Sequence, residues 1–191
     1  MSKKGKIEVI VGPMFAGKTE ELIRRVKRAK IANQNVLVFK HTIDNRYSNK
    51  GEVVSHNGEK YQCILVDSSG KITEHMENNI NIDIIAIDEA QFFDKFLPVV
   101  VNDLANKGIR VICSGLDMDF KKEPFLNMAI LLALADEVTK LKAVCFSCKE
   151  DANYTQRLVN GKPAKYSDPI IVVGGKESYE ARCRNCHQLF K

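Results

Sequence analysis

The chain has 191 residues, of which 45% are hydrophobic and 28% charged, so it is long and apolar enough to bury one sizeable core. Its formal net charge of +5 is a mild bias that suits small polyanionic ligands and does not demand nucleic acid. No apolar run is long enough to cross a bilayer and the first residues show no signal-like stretch, so we expect a cytoplasmic protein without a membrane partner.

The first predicted element is a buried strand over residues 7–11, a short apolar run rich in β-branched side chains. It leads into residues 12–19, GPMFAGKT, which match the phosphate-binding pattern G-x-x-x-x-G-K-[ST] between a strand and a helix. In this pattern Lys18 supplies a cation for the β- and γ-phosphates, and Thr19 supplies a hydroxyl for Mg²⁺. The alternative, a chance match in a glycine-containing turn, does not account for the strand and helix on either side.

Helices and strands alternate along the rest of the chain. The predicted helices cover residues 18–32, 71–79, 96–107 and 128–135, and the predicted strands cover 36–40, 53–55, 61–66, 82–87, 110–114 and 137–144. Residues 41–51 are polar and predict a loop, and the Asn57-Gly58 pair predicts a hairpin. Alternation of this kind predicts an α/β fold, a P-loop NTPase-like parallel sheet flanked by helices.

Two acids follow the predicted buried strand 82–87. In a P-loop protein an aspartate at the position of Asp88 helps to hold Mg²⁺, and Glu89 can accept a proton from the group that attacks the γ-phosphate. The alternative is that the two acids only cap the next helix. These residues leave the attacking group open, since water would make an ATPase and a substrate hydroxyl would make a kinase.

Paired cysteines predict a metal centre near the end of the chain. Cys145-x-x-Cys148 and Cys183-x-x-Cys186 have the spacing of a closed, structural, tetrahedral zinc site. His187 could replace Cys186 as the fourth ligand, although the two-residue spacing favours Cys186. The 34 residues between the pairs exceed the usual zinc-ribbon gap of roughly 15–20, and a loop of that length is usually functional.

The domain prediction follows from these motifs. We expect a P-loop α/β core domain over residues 1–142 and a small zinc-ribbon-like domain over residues 143–191. Cys63 and Cys113 lie in apolar strands, and we expect both to be small, unreactive thiols.

Taken together, the motifs resemble the thymidine kinase family of bacteria and of the animal cytosol. GPMFAGKTEEL, DNRY, IDEAQFF, LDMDF…PF, KLKAVC..C, YTQRL and GG….Y…C..C occur in that family's order and spacing over nearly the whole chain. The resemblance implies transfer of the ATP γ-phosphate to the 5′-hydroxyl of thymidine, with ATP-Mg²⁺ and a structural Zn²⁺. It also implies a homotetramer that is inhibited by thymidine triphosphate.

The resemblance also implies roles for individual residues, with Glu89 as the general base and Thr19 and Asp88 as the Mg²⁺ residues. The implied ATP and phosphate residues are Gly12, Pro13, Met14, Phe15, Ala16, Gly17, Lys18, Thr19, Asp44, Arg46, Asp88 and Gln91. The implied thymidine residues are Met14, Phe92, Leu116, Phe120, Phe125, Thr155, Ile170, Val172, Gly174 and Tyr179. The last four belong to the family's lasso, a zinc-tethered loop that closes over the base, which accounts for the long spacing between the cysteine pairs.

Several of the residues singled out in the sequence also have a purely structural interpretation. Phe92, Phe120 and Phe125 could be core aromatics, which is the default interpretation of a single phenylalanine. The basic run on the first helix could bind nucleic acid, although a solvated helix face is the favoured interpretation; its members are Arg24, Arg25, Lys27, Arg28 and Lys30.

Two other functions compete with the kinase. One is a P-loop ATPase whose zinc ribbon binds nucleic acid, which the absence of tryptophan and of basic-aromatic interleaving disfavours. The other is a module that binds nucleotide without chemistry, which the presence of Glu89 disfavours. We therefore expect no nucleic-acid partner.

Overall fold

The structure is a computed structural model that describes residues 5–43, 51–54, 58, 60–77, 79, 81–170 and 178–190. Most of the predicted loop 41–51 lies outside these residues, as do the predicted site residues Asp44, Arg46, Val172 and Gly174. No helix within the described ranges is long and apolar enough to span a membrane.

Strands and helices alternate through the described residues, as the sequence pattern predicts. The helices are α1 Lys18–Ile31, α2 Ser69–Glu77, α3 Leu97–Asn106 and α4 Leu126–Leu134, with a 3-10 turn at Ala90–Phe92. The strands are β1 Lys6–Val11, β2 Val36–His41, β3 Glu52–Val54, β4 Lys60–Gln62, β5 Ile64–Val66, β6 Ile84–Asp88, β7 Arg110–Gly115, β8 Glu137–Lys140, β9 Ala143–Val144, β10 Asp151–Ala152, β11 Tyr154–Val159, β12 Lys162–Pro163 and β13 Tyr179–Arg182.

The main sheet of the described chain has six parallel strands in the order β5-β2-β6-β7-β1-β8. Its central strands are short apolar runs, as a parallel sheet that is buried on both faces requires. β7 lies between β1 and β6, so the carboxyl ends of these three strands lie side by side. This edge therefore brings together the phosphate loop, Asp88 and the segment after β7.

Helices cover both faces of this sheet. On one face, Leu22 and Val26 of α1 share a buried cluster with Ile10 and Ile112 of the sheet. On the other face, apolar residues of α2, α3 and α4 share a second cluster with alternate residues of the same strands. The predicted α/β sheet with helices on both faces is confirmed.

Two predicted strands are divided in the structure. The predicted strand 61–66 becomes β4, which pairs with β3 in the predicted hairpin, and β5, which joins the main sheet beside β2. Cys63 is the junction: its N–H donates to the Gly51 carbonyl in continuation of the hairpin register, and the next residue, Ile64, pairs with Phe39 of β2 instead. The predicted strand 137–144 becomes β8, an edge strand of the main sheet, and β9, which pairs with β10.

The C-terminal part of the described chain contains small antiparallel sheets. β9 pairs with β10, and β11 pairs with both β12 and β13. The first cysteine pair lies between β9 and β10, and the second follows β13 directly. We call residues 143–190 of the described chain the zinc lobe; the exact boundary at residue 142 stays a prediction.

A buried acid, Glu8, interrupts the apolar pattern of β1 on the face covered by α1. It is 2% exposed and pairs with Arg25 of α1 at 2.6 Å and with Arg110 of β7 at 2.7 Å. Burial alone would raise the pKa of Glu8, but hydrogen bonds from Arg110 and Arg25 lower that pKa to about 2. Glu21 pairs with both Arg24 and Arg25, so two of the five basic residues of the run on α1 have acidic partners within the fold.

We expect Glu8→Gln to lower the free energy of unfolding by about 3 kcal/mol at pH 7, because it leaves the buried Arg25 and the half-buried Arg110 without their shared carboxylate. The folded-state pKa lies below the unfolded value, so this stabilisation is complete above about pH 4.5 and is lost as the pH falls toward 2. Urea unfolding from pH 7 to pH 2 should therefore show the difference from wild type shrinking across that window.

Glu137→Gln is the matched control, because Glu137 belongs to the same ion cluster but its side chain is 45% exposed. Exposed pairs contribute about 0–1 kcal/mol, so this variant should unfold near the wild-type midpoint. Equal losses in the two variants would contradict a special role for the buried carboxylate.

Candidate active site and metal centre

The phosphate loop after β1 has a backbone geometry that depends on its two glycines. Gly12 has φ 150°, and a Cβ atom there would lie 2.5 Å from the Leu141 carbonyl oxygen, so a side chain does not fit. Gly17 has φ 79°, in the left-handed region, and is the N-cap residue of α1. The loop therefore ends at a helix N-terminus, whose free N–H groups and dipole favour a bound anion.

The two predicted Mg²⁺ residues meet at this loop. Asp88 is 2% exposed at the end of β6, and the Thr19 hydroxyl donates to its Oδ2 atom at 3.5 Å. Hydroxyl and carboxylate oxygens are ligand types that Mg²⁺ takes, so the pair fits an ATP-bound Mg²⁺. Lys18 lies in the same loop, where its Nζ donates to the Pro13 carbonyl at 2.8 Å.

Glu89 directly follows Asp88 and has an unusual backbone. Its φ of 54° places a non-glycine residue in the left-handed region, a conformation that concentrates at functional sites. It precedes the 3-10 turn, but no side-chain capping bond is found in this part of the described chain, which argues against the helix-cap alternative. Its Oε2 accepts a hydrogen bond from Gln91 Nε2 at 2.6 Å, and Gln91 Oε1 accepts one from the Leu116 N–H at 3.0 Å. Gln91 thus links Glu89 to the segment after β7.

One face of the β11–β13 pair collects several of the implied thymidine residues. Thr155 and Arg157 alternate along β11, and Tyr179 of β13 lies opposite Arg157, so these side chains share a face. The Thr155 hydroxyl oxygen accepts a hydrogen bond from the Met14 N–H at 3.0 Å. The Arg157 guanidinium lies 5.5 Å from the centroid of the Phe120 ring, which is buried. Residues distant in the chain therefore meet beside the phosphate loop.

The other implied thymidine residues lie outside the β11–β13 pair. Leu116 lies just beyond β7 and is bonded to Gln91, and Phe92 is half-buried in the 3-10 turn. Phe125 packs against the main core, which supports its alternative interpretation as a core aromatic. Ile170 is 42% exposed at the edge of the described residues.

The four predicted zinc cysteines form one cluster. The sulfur atoms of Cys145, Cys148, Cys183 and Cys186 all lie within 4.8 Å of one another, and those of Cys148 and Cys183 are 3.6 Å apart. Tetrahedral zinc with Zn–S bonds of about 2.3 Å needs sulfur atoms about 3.8 Å apart, so the cluster fits a structural Zn²⁺. Burial raises the pKa of Cys145 but backbone N–H groups of the knuckles lower it further, and backbone N–H groups also lower the pKa of Cys183, whereas hydrogen bonds with neighbouring thiols raise the pKa values of Cys148 and Cys186.

His187 lies outside this sulfur cluster. It is buried, and its Nε2 lies 2.9 Å from the Phe120 carbonyl oxygen, where it must act as the donor. Burial lowers the pKa of His187, which favours the neutral ring. The geometry therefore supports Cys186 over His187 as the fourth ligand. The sequence predicts no role for His187 other than that of a ligand and none for Arg157, although Arg157 lies within the motif YTQRL.

The zinc lobe packs against the phosphate loop. Phe15 and Ala16 of the loop lie against a small buried cluster that contains Cys145 and the alanines of β9, β10 and β13. Phe15 has φ 68°, so the loop presents this side chain from a left-handed backbone position. Together with the bond between Met14 and Thr155, this contact makes the zinc lobe one wall of the phosphate site.

Solved structures with some similarity to this chain belong to other kinds of protein. They are the Thermotoga maritima RuvB Holliday junction branch migration motor (11% identity, TM-score 0.43), domain III of the Thermotoga maritima replication initiation protein DnaA (15%, 0.41) and a DNA replication initiation factor (14%, 0.42). Each match covers 71% of this chain, and it covers 37%, 55% and 40% of those chains respectively, so this chain spans well under two thirds of their length. Similarity at this level says nothing about its activity.

A match to a protein family covers far more of the chain. The family described as "Thymidine kinase" matches residues 5–187, a range that contains the phosphate loop, both acids and all four clustered cysteines. A match of that extent, over a parallel α/β core and a cysteine cluster of the expected geometry, establishes that the chain belongs to the thymidine kinase family, the enzymes that phosphorylate thymidine.

Proposed function

We propose that this protein transfers the γ-phosphate of ATP to the 5′-hydroxyl of thymidine and so gives thymidine monophosphate for nucleotide salvage in the cytoplasm. The observation that carries the proposal is the family match over residues 5–187. The geometry supports it, because the phosphate loop, a candidate base and a partly apolar face meet at one edge of the sheet.

The phosphates of ATP occupy the loop of residues 12–19. Backbone N–H groups at the start of α1 donate to the phosphate oxygens, and Lys18 turns from the Pro13 carbonyl to the β- and γ-phosphates. Thr19 and Asp88 would hold the Mg²⁺ that accompanies ATP, and the metal would supply positive charge beside the transferring phosphate. Arg46, which lies outside the described residues, and Gln91 complete the proposed phosphate residues.

Glu89 acts as the general base. It directly follows Asp88, and Gln91 orients its carboxylate through a bond to Oε2 and links it to the Leu116 N–H in the segment after β7. A carboxylate held there can take the proton from the 5′-hydroxyl as that oxygen attacks the γ-phosphate. Gln91 does not serve as the general base, because its side-chain amide is too weak a base to take this proton.

Thymidine occupies the space beside the Glu89 carboxylate. Met14, Thr155 and Phe120 form its buried wall, and Leu116, Phe92 and Phe125 lie on the sheet side. The family resemblance assigns Ile170, Tyr179 and two residues outside the described ranges, Val172 and Gly174, to a lasso that would close over the thymine ring and recognise it largely through backbone groups. The structural zinc at Cys145, Cys148, Cys183 and Cys186 anchors both ends of that loop.

The assembly proposed is a homotetramer inhibited by thymidine triphosphate. An apolar face of α4 supports self-association: Leu126 is 69% exposed, and Ile130 and Leu134 are 39% and 38% exposed. Contiguous exposed apolar side chains on a helix usually mark a protein interface.

The test is phosphate transfer from ATP with thymidine, with deoxycytidine and with no nucleoside. We expect a phosphorylated product with thymidine alone. Equal ATP hydrolysis in all three reactions would instead identify an ATPase, and the zinc lobe would then be tested for nucleic-acid binding. Bound nucleotide without turnover would identify a binding module.

A further inference from the structure

His187 is a buried polar side chain that has no part in the proposed chemistry. This side chain is 8% exposed and directly follows the zinc ligand Cys186, yet its Nε2 is bonded to the Phe120 carbonyl, 67 positions earlier in the chain. The bond crosses from the second cysteine knuckle to the loop between β7 and α4.

The surroundings of His187 fix its direction. Its own N–H donates to the Cys183 carbonyl at 3.0 Å, which closes the knuckle turn. The next residue, Gln188, is held on β11 by two backbone bonds to the buried Gln156 side chain, each 2.8 Å long. The Tyr154 ring lies edge-on to the imidazole at 5.9 Å. The Tyr154 ring therefore contacts the imidazole, Nε2 reaches Phe120, and within the described residues the buried Nδ1 atom makes no hydrogen bond.

The Phe120 ring has a second contact, on the side where we propose that thymidine binds. Its ring is 3% exposed and lies beneath the Arg157 guanidinium at 5.5 Å, on the face of β11 that also carries Thr155. A carbonyl bonded to His187 and a ring packed on Arg157 together set where the Phe120 ring stands.

We propose that His187 is a positioning residue for thymidine binding, which fixes the Phe120 wall of the pocket by anchoring the Phe120 carbonyl to the zinc knuckle. The inference rests on the proposed thymidine kinase activity. It implies that the knuckle sets the affinity for the nucleoside through this bond, separately from the tether of the lasso, and that ATP binding at the phosphate loop does not depend on it.

His187→Phe tests the proposal, since phenylalanine keeps the ring volume and removes the donor. We expect the thymidine KM to rise about five- to tenfold, the range expected for one buried hydrogen bond, while the ATP KM and the zinc content stay at wild-type values. His187→Gln retains a donor at a similar reach and should restore the thymidine KM. Lys149→Met is the matched control, because it removes a 2.7 Å bond from a side chain to the Phe146 carbonyl in the other knuckle.

An unchanged thymidine KM in His187→Phe, or thymidine and ATP KM values that rise together with loss of zinc, would overturn the proposal. A wild-type enzyme that fails to phosphorylate thymidine would instead overturn the proposed function, so the two failures are distinct. If His187→Phe does not fold, nitrogen NMR of the wild-type imidazole decides: a stable Nε2–H tautomer supports the bond to Phe120, and an Nδ1–H tautomer excludes it.

Discussion

Glu89→Gln is expected to lower kcat for thymidine phosphorylation about 10²- to 10⁴-fold, the range that a positioned general base contributes. Glutamine has nearly the same size, and its carbonyl can still accept the bond from Gln91 Nε2, so the link to Leu116 is kept. What is lost is the group that accepts the proton of the 5′-hydroxyl. The effect should therefore fall on kcat and leave the affinity for ATP close to that of wild type.

The measurement is a steady-state assay of Glu89→Gln beside direct ATP binding to the same protein. Glu74→Gln is the matched control, because Glu74 lies exposed on α2, pairs with Lys71 and is not among the proposed site residues. Near-wild-type turnover in a folded Glu89→Gln protein would rule out the general base. A parallel loss of ATP binding would show that Glu89 supports the phosphate loop and not the proton transfer.

The parts of the fold that the sequence predicts well are those with local signals. The apolar run of β1 followed by two glycines and a lysine defines strand, loop and helix within 26 residues, and α1 follows from helical spacing of apolar side chains. The cysteine pairs carry their own spacing rule, and the structure confirms that all four sulfur atoms converge. The individual roles of the thymidine and phosphate residues stay predictions.

The parts that local signals miss depend on contacts between distant segments. Nothing near Cys63 marks a break, and the division of strand 61–66 arises because β5 finds a partner in β2. Glu8 looks like an exception in an apolar strand until Arg25 and Arg110 reach it from two other elements. Met14 and Thr155 are 141 positions apart in the chain, so no local signal in the sequence predicts the hydrogen bond between them.

The bond between Met14 and Thr155 gives the proposed zinc centre a second role besides tethering the proposed lasso. Thr155 holds the Met14 N–H, and Phe15 and Ala16 pack on the cluster that contains Cys145, so the lobe supports the phosphate loop directly. A structural zinc supplies much of the free energy that folds such a lobe. Loss of the metal should therefore loosen two sites at once: the lasso side of the thymidine pocket and the outer wall of the phosphate loop.

Cys148→Ser is expected to reduce zinc from about one ion per chain to well below that, because a serine hydroxyl replaces one of four thiolates. We expect the thymidine KM to rise about tenfold or more, with a smaller rise in the ATP KM, as the contacts of Thr155 and Phe15 weaken. Metal analysis and both KM values, measured on protein never exposed to chelator, provide the test.

Cys63→Ser makes the same chemical change outside the cluster, at a half-buried thiol whose pKa burial raises to about 11, and should keep its zinc. Two results would contradict the argument: wild-type protein that carries no zinc, or a folded, zinc-depleted Cys148→Ser protein that binds thymidine as wild type does. A rise in the thymidine KM alone would locate the effect in the lasso. A rise in both KM values would show that the zinc lobe also holds the phosphate loop in place, as the bond between Thr155 and Met14 requires.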